Sequence, residues 1–287
     1  MLREATIIRE RVEALRVAGL CNATVLKAAY NKQRFAPHSH STYVVGLVTA
    51  GVLKFRCEGQ DWIVPAGSIC LINPDQVQTG EPGADEGWSY WNAYLPVETF
   101  DFVSDERGRE SEGPLFTTHV LGDHHAREVL QRFFGAISST KLPLAQSELS
   151  LECLTFLKER FHPTRRDSPP SHEPRIVGRV KEWLSAHYGQ PVTLNDAAAI
   201  AGVTGVHLTR VFRATTGLAL HGWLVQLRVD RAREMLISGA HAADAAVACG
   251  FTDQSHMARW LRRLLGMTPK EIQRISNSSN NAVPRLA

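Results

Sequence analysis

The sequence predicts an α+β protein of two domains: an N-terminal antiparallel β-barrel with helices after it, and a C-terminal all-α domain with two helix-turn-helix motifs. Three features carry that prediction. They are short turn-bounded apolar segments over residues 29–96, a proline-rich break at 162–174, and a helical repeat beyond it. The length agrees, since 287 residues exceed the ~150 usual for one domain. A content of 44% hydrophobic and 21% charged residues excludes chain-wide disorder. The mean hydropathy is −0.17, and no run of about 18 apolar residues occurs, so no membrane span is expected.

In chain order, residues 1–11 mix both charge signs and do not fit a secretory signal. The role of residues 1–25 stays open between an ordered arm and a misplaced start. Residues 43–49 are valine-rich and end on Ala50-Gly51, a turn signal. Leu53-Lys54-Phe55-Arg56-Cys57 alternates as a half-buried strand does. Trp62-Ile63-Val64, Ile69-Cys70-Leu71-Ile72 and residues 88–95 follow, separated by Gly, Pro, Asn and Asp. Such spacing fits a small antiparallel barrel or a sandwich. Two helical stripes come next: Val129, Leu130, Phe133, Phe134 and Ile137, then Leu149, Cys153, Leu154 and Leu157.

Four prolines among polar residues over 162–174 cannot continue a helix or a central strand, so this stretch reads as a linker. Beyond it the period is helical. Ile176, Val180, Trp183, Leu184 and His187 share one face. Thr193-Leu194-Asn195-Asp196 and Thr268-Pro269-Lys270-Glu271 are helix starts, each with a hydroxyl and an acid for the free backbone N–H groups.

The repeat decides the reading. Asp196-Ala197-Ala198-Ala199-Ile200-Ala201-Gly202-Val203-Thr204 returns as Asp244-Ala245-Ala246-Val247-Ala248-Cys249-Gly250-Phe251-Thr252. Leu208-Thr209-Arg210-Val211-Phe212-Arg213 returns as Met257-Ala258-Arg259-Trp260-Leu261-Arg262, and Gly217 and Gly266 close the copies. In each, an alanine-rich helix permits close approach, a glycine makes the turn, an apolar residue plugs the corner and a Thr or Asp caps the next helix. The second helix has an apolar face and a basic or amide face, as insertion into a major groove demands. An ordinary αα-hairpin also has Ala and Gly at its corner. Two copies in register (about 194–215 and 242–265), joined by a helix near 221–238, point to DNA. Charge agrees: residues 172–287 sum to +6 and residues 1–171 to −3.

Residues 175–275 resemble the DNA-binding domain of the AraC/XylS family of bacterial transcription regulators. The likeness rests on Arg228-Val229-Asp230-Arg231-Ala232-Arg233-Glu234-Met235-Leu236 and, most specifically, on Val247-Ala248-Cys249-Gly250-Phe251-Thr252-Asp253-Gln254-Ser255-His256-Met257-Ala258-Arg259. The resemblance implies seven helices with two recognition helices in successive major grooves, roughly 34 Å apart. It implies DNA contacts from Val206, His207, Thr209, Arg210 and Arg213 in the first. In the second it implies Gln254, Ser255, His256, Arg259, Arg262 and Arg263. Arg210 and Arg259 suit guanine, Gln254 suits adenine, and Arg213, Arg262 and Arg263 suit phosphates. Val206 and Thr209 leave the first motif poor in hydrogen-bonding groups, so unequal contributions are expected. For each arginine a solvated face or an internal ion pair is the alternative.

The first domain resembles a cupin barrel, the family's usual effector domain, through His38-Ser39-His40 and Gly59-Gln60-Asp61-Trp62-Ile63-Val64-Pro65-Ala66-Gly67. A small-molecule effector pocket lined by His38, His40, Tyr43, Trp88 and Trp91 is expected, with core filling the alternative for each Trp. Catalytic cupins generally hold a metal with three His and a Glu. Here the Glu position falls on Val44 or Val45 and a later His on Cys70, so no enzyme, cofactor or bound metal is expected. His38 and His40, two apart on one strand, would share a face.

The expected domains are residues 1–161 for effector binding and dimerisation, a linker at 162–174, a DNA-binding domain at 175–276 and a disordered tail at 277–287. Expected partners are double-stranded operator DNA, the effector and RNA polymerase for an activator; the resemblance also implies a homodimer through the helices near 126–138 and 147–160, for which a core-facing stripe is the alternative. Five scattered cysteines (Cys21, Cys57, Cys70, Cys153, Cys249) suggest reduced thiols in the cytoplasm, with the protein at the nucleoid.

Overall fold

The computed structural model describes residues 8–103, 113–139, 143–161 and 172–280. The chain forms two compact units, residues 1–34 with 39–165 and residues 35–38 with 166–287.

The first unit is an antiparallel sheet backed by two helices. Its strands are β1 (Arg11–Val17), β2 (Ala23–Tyr30), β4 (Tyr43–Cys57), β5 (Gln60–Pro65), β6 (Ile69–Ile72), β7 (Gln78–Pro82), β8 (Trp88–Leu95) and β9 (Val120–Leu121); the short strand Phe35–His38, β3, falls in the second unit. The hydrogen-bonded path runs β1-β2-β8-β4-β6-β9 and is open, while the second half of β4 pairs with β5 and β7. One long strand thus serves two sheet layers. It turns the corner at a register shift between Val48 and Ala50. At Gly51 a Cβ would stand 2.0 Å from the Gly87 carbonyl oxygen, so only glycine fits there.

Alternation sends each strand's side chains to opposite faces. One face, with Val25, Val45, Leu47, Ile69, Leu71, Ala93 and Leu95, packs against α1 (His124–Ser139) and α2 (Pro143–Arg160). The helical stripes read from the sequence meet it: Val129, Leu130, Phe133, Phe134 and Ile137 from α1, Cys153, Leu154 and Leu157 from α2. Each such side chain contributes roughly 1.5–3 kcal/mol when fully buried. Asn73 closes the loop after β6 by pairing its amide with both backbone groups of Phe116, at 2.8 and 2.9 Å. Lys158 of α2 is buried and donates to the carbonyls of Phe100 and Val103, which end a short 3-10 turn.

The expected β region began at residue 29, but β1 and β2 precede it, paired from Arg11↔Ala29 to Val17↔Ala23. In β1 the charges of Arg11, Glu13 and Arg16 are exposed, as an edge strand tolerates, and they mask the apolar alternation.

The second unit holds seven described helices: α3 (His172–His187), α4 (Leu194–Ala201), α5 (Gly205–Thr216), α6 (Leu220–Ile237), α7 (Ala242–Ala248), α8 (Gln254–Leu265) and α9 (Pro269–Asn280). Ile176, Val177, Val180 and Leu184 of α3 share a core with Ala197, Ala198 and Ala201 of α4, with Leu208, Val211 and Phe212 of α5, and with Leu224 of α6. Of the expected linker, residues 162–171 lie outside the described residues, and 172–174 already belong to α3. Of the expected tail, residues 277–280 belong to α9, which runs on to Asn280; once nucleated, a helix gains a bond for each residue added. Residues 281–287 lie outside the described residues.

Candidate nucleic-acid interface

The two helix-turn-helix copies are built alike. In the first, Thr193 caps α4 with a reciprocal pair: its hydroxyl accepts from Asp196 N at 3.2 Å, and Asp196 Oδ2 accepts from Thr193 N at 3.0 Å. The Thr193 hydroxyl and N–H hold the Asp196 carboxyl below the usual range. Gly202 ends α4 at φ 69°, and Thr204 Oγ1 then accepts from His207 N at 3.3 Å to start α5. In the second, α7 turns at Gly250 (φ 74°) and buried Phe251 plugs the corner. Asp253 Oδ1 accepts from His256 N at 2.7 Å to start α8. Both second helices close on a left-handed glycine, Gly217 or Gly266, whose N–H returns to the carbonyl of Arg213 or Arg262.

Burial fixes which face each recognition helix presents. Leu208, Val211 and Phe212 hold α5 to its core, and Met257, Leu261 and Leu264 hold α8. The opposite face of α5 exposes Val206, Thr209, Arg210 and Arg213, with Val206 84% exposed. That of α8 exposes Gln254, Ser255, Arg259, Arg262 and Arg263. Arg210 and Arg259 occupy equivalent positions, but their surroundings differ. Arg210 donates to His207 Nδ1 at 3.2 Å, whereas Arg259 makes no hydrogen bond or ion pair among the described residues. Thr209 gives its proton to the Gly205 carbonyl at 2.9 Å, which leaves its hydroxyl oxygen an acceptor only. Arg263 lies over the Trp260 ring, 5.1 Å from the centroid.

His256 differs from its neighbours. It is half-buried, accepts from Trp260 Nε1 at 3.0 Å, and faces Thr252 Oγ1 through its other nitrogen at 3.3 Å. Its ring is committed within the motif. Sequence reasoning missed the groove flanking α5, where Leu194, Gly205 and Ala214 join Val206, Thr209, Arg210 and Arg213. The half-exposed Leu194 at a helix start was the available signal.

The five residues expected to line one effector pocket do not come together. Trp88 and Trp91 are three apart on β8 and so lie on opposite faces. Trp91 stacks on Phe134 of α1 at 5.7 Å, and Tyr43 packs edge-on against Phe100 and Phe116, so both belong to the helix-backed core. Nor are the two histidines on one strand: β3 ends at His38, and His40 lies beyond it. His38 is buried with Nδ1 at 2.7 Å from the Ala36 carbonyl, and burial lowers its pKa. His40 lies edge-on to Tyr94 at 4.9 Å.

The other face of β8 carries Trp88, Tyr90, Asn92 and Tyr94. Trp88 stacks on Tyr90 with ring centroids 6.3 Å apart and also meets Tyr30 at 5.2 Å. Burial, then the neighbouring Tyr94, Tyr30 and Cys70, pushes the Tyr90 phenol well above its usual range. Across from Phe55, Trp62 has a buried Nε1 with no hydrogen-bond partner among the described residues. Its ring meets buried His119 at 5.1 Å. His119 itself reaches the Leu71 carbonyl at 2.9 Å and Glu58 at 3.4 Å. Neither His119 nor Tyr30 was legible as a partner, since both meet this face across long sequence separations. Among the described residues no three His, Cys, Asp or Glu side chains stand close enough to hold a metal, and no helix is long and apolar enough to cross a membrane. Burial raises the thiols of Cys57 and Cys249 to about 11 and that of Cys153 to about 12.

Comparison with known proteins agrees with this division. Residues 21–154 match the family model described as an AraC-like ligand binding domain, and residues 197–275 match a helix-turn-helix domain. The chain is 30% identical over 225 residues to an uncharacterized HTH-type transcriptional regulator, YbfI, of Bacillus subtilis (strain 168), covering 78% of this chain and 82% of that protein. It is 23% identical over 250 residues to the HTH-type transcriptional activator RhaS of Klebsiella pneumoniae (strain 342), covering 83% and 87%. Among solved structures, an apo ToxT variant from Vibrio cholerae strain SCE256 has the same fold, with a TM-score of 0.57 at 11% identity over 94% of this chain and 98% of that one.

Proposed function

The chain belongs to the AraC-type family of helix-turn-helix transcription regulators, and from that footing we propose how it recognises DNA and effector. Helices α5 and α8 each enter a major groove on one face of the duplex. Arg259 and Gln254 of α8 read base edges, with Arg210 a weaker reader on α5 and Val206 packing on thymine methyls. Arg213, Arg262 and Arg263 hold phosphates, which set orientation and salt dependence. The observation that carries this reading is the paired construction: two helices, each capped by a side-chain oxygen that accepts from the third backbone N–H, expose arginine at equivalent positions while their other faces are buried.

The effector's site is the inner sheet face bearing Trp88, Tyr90 and Tyr94, with His40 edge-on to Tyr94. Tyr43 and Trp91, held in the helix-backed core, take no part in it. Ligand occupancy shifts the population of DNA-competent arrangements, which requires no catalytic step. A homodimer through α1 and α2, where Leu151 is half exposed, and contact with RNA polymerase complete an activator of the kind that the name of the RhaS relative describes; its place of work is nucleoid DNA in the cytoplasm.

Genome-wide mapping of bound sites tests the reading. It expects a bipartite sequence with two short boxes about one helical turn apart. Bound sites that share no sequence would refute it.

A further inference from the structure

The second motif meets the segment between α3 and α4 at a junction that neither recognition helix forms. Arg228, midway along α6, uses all three of its side-chain nitrogens there. Nε donates to the Tyr188 carbonyl at 2.7 Å, Nη2 to that of Gln190 at 2.9 Å and Nη1 to that of Gly250 at 2.9 Å. The first two carbonyls follow the end of α3, whose core is shared with α4 and α5; the third sits in the turn between α7 and α8. Helix C-termini carry partial negative charge, so one guanidinium holds two of them, that of α3, whose core the first motif shares, and that of α7 in the second motif.

The backbones there are in direct contact. A Cβ at Gly189 would stand 2.6 Å from the Ala248 carbonyl oxygen, and one at Gly250 would stand 2.9 Å from that of Tyr188. Each segment therefore presents a glycine to the other's carbonyl. One turn further along α6, Arg231 lies over the Tyr188 ring at 5.8 Å.

We propose that Arg228 is a positioning residue that fixes the separation and phase of α5 and α8, and so sets the single spacing between DNA boxes that the protein accepts. The proposal rests on the reading of both helices as DNA-contacting. A planar fork on three carbonyls from two segments allows one relative placement, whereas an ammonium in its place reaches fewer of them and leaves a hinge. With a rigid junction the second motif binds at high effective concentration, and the gain over one box falls in the range of about 100- to 10,000-fold.

The test uses the full chain and a randomised duplex library about 40 base pairs long. Sequences are selected with the parent protein, with Arg228→Met and with Arg228→Lys, which keeps the charge and the aliphatic stem. The parent is expected to return two boxes at one separation. The variants are expected to return the same boxes spread over several separations, with the two-box advantage lowered about 10-fold and one-box affinity unchanged. Circular dichroism confirms folding, and if Arg228→Met does not fold, Arg228→Lys decides. A folded variant that keeps the parent's single separation overturns the positioning role while the two-motif reading stands. A parent that returns one box only overturns both.

Discussion

Trp260 donates its indole N–H to Nε2 of His256, 3.0 Å away and one turn earlier on α8. With Thr252 at the other ring nitrogen and Phe251 edge-on beneath, the imidazole ties the turn of the second motif to its recognition helix. A side chain that the sequence offers as a DNA contact is thereby occupied in shaping the surface that its neighbours present.

His256→Ala should therefore act on stability first. Loss of the indole's acceptor inside the motif costs about 1–2 kcal/mol, read as a lower urea midpoint. At a concentration where the variant is fully folded, its operator affinity should fall less than that of Arg259→Ala. A larger fall with an unchanged midpoint would make His256 a direct reader.

Arg259→Ala should weaken operator binding by roughly 1–3 kcal/mol and relax the preference at one guanine. Arg210→Ala should cost less, because that guanidinium already donates to His207. Fluorescence anisotropy of both variants on one duplex compares them directly, and equal losses would reject the unequal division between motifs.

The recognition helices were legible because their signals are local. A repeat, two caps at Thr204 and Asp253, and apolar residues at helical spacing fix each copy within about 25 residues of sequence. Pairings between distant segments were not legible. Nothing near Asn73 announces Phe116, and nothing near Arg228 announces the carbonyls of Tyr188 and Gly250. The grouping of Trp88 with Trp91 is a different case, since an odd separation on a strand already places them on opposite faces. The aromatic character of both outweighed their parity, and the helix-backed core claimed one of them.

Salt should separate the phosphate arginines from the base readers. Replacing Arg213, Arg262 or Arg263 by Ala should each lower the slope of log affinity against log salt by about 0.9, with the selected sequence unchanged. A variant that keeps the parental slope and loses sequence preference would move that arginine from phosphate to base.

Asp230 on α6 gives a pH signature of the helical domain. Burial pushes its carboxyl up to about 6 from an ordinary 3.8; Arg233 opposes the rise and Glu234 adds to it. A carboxyl that holds its proton more tightly when folded costs stability wherever both folded and unfolded chains are ionised. The cost is therefore complete above about pH 6 and vanishes as pH falls towards the unfolded value of about 3.9. The separation corresponds to roughly 3 kcal/mol, an upper bound for what a neutral replacement recovers. Asp230→Asn should be more stable than the parent at pH 8 by about 1–3 kcal/mol, with the advantage shrinking steadily between pH 6 and pH 4. Urea unfolding of both proteins across that range measures it. A difference that stays constant with pH, or an Asn variant less stable at pH 8, would show that the Arg233 and Arg231 charges outweigh the burial of the carboxylate.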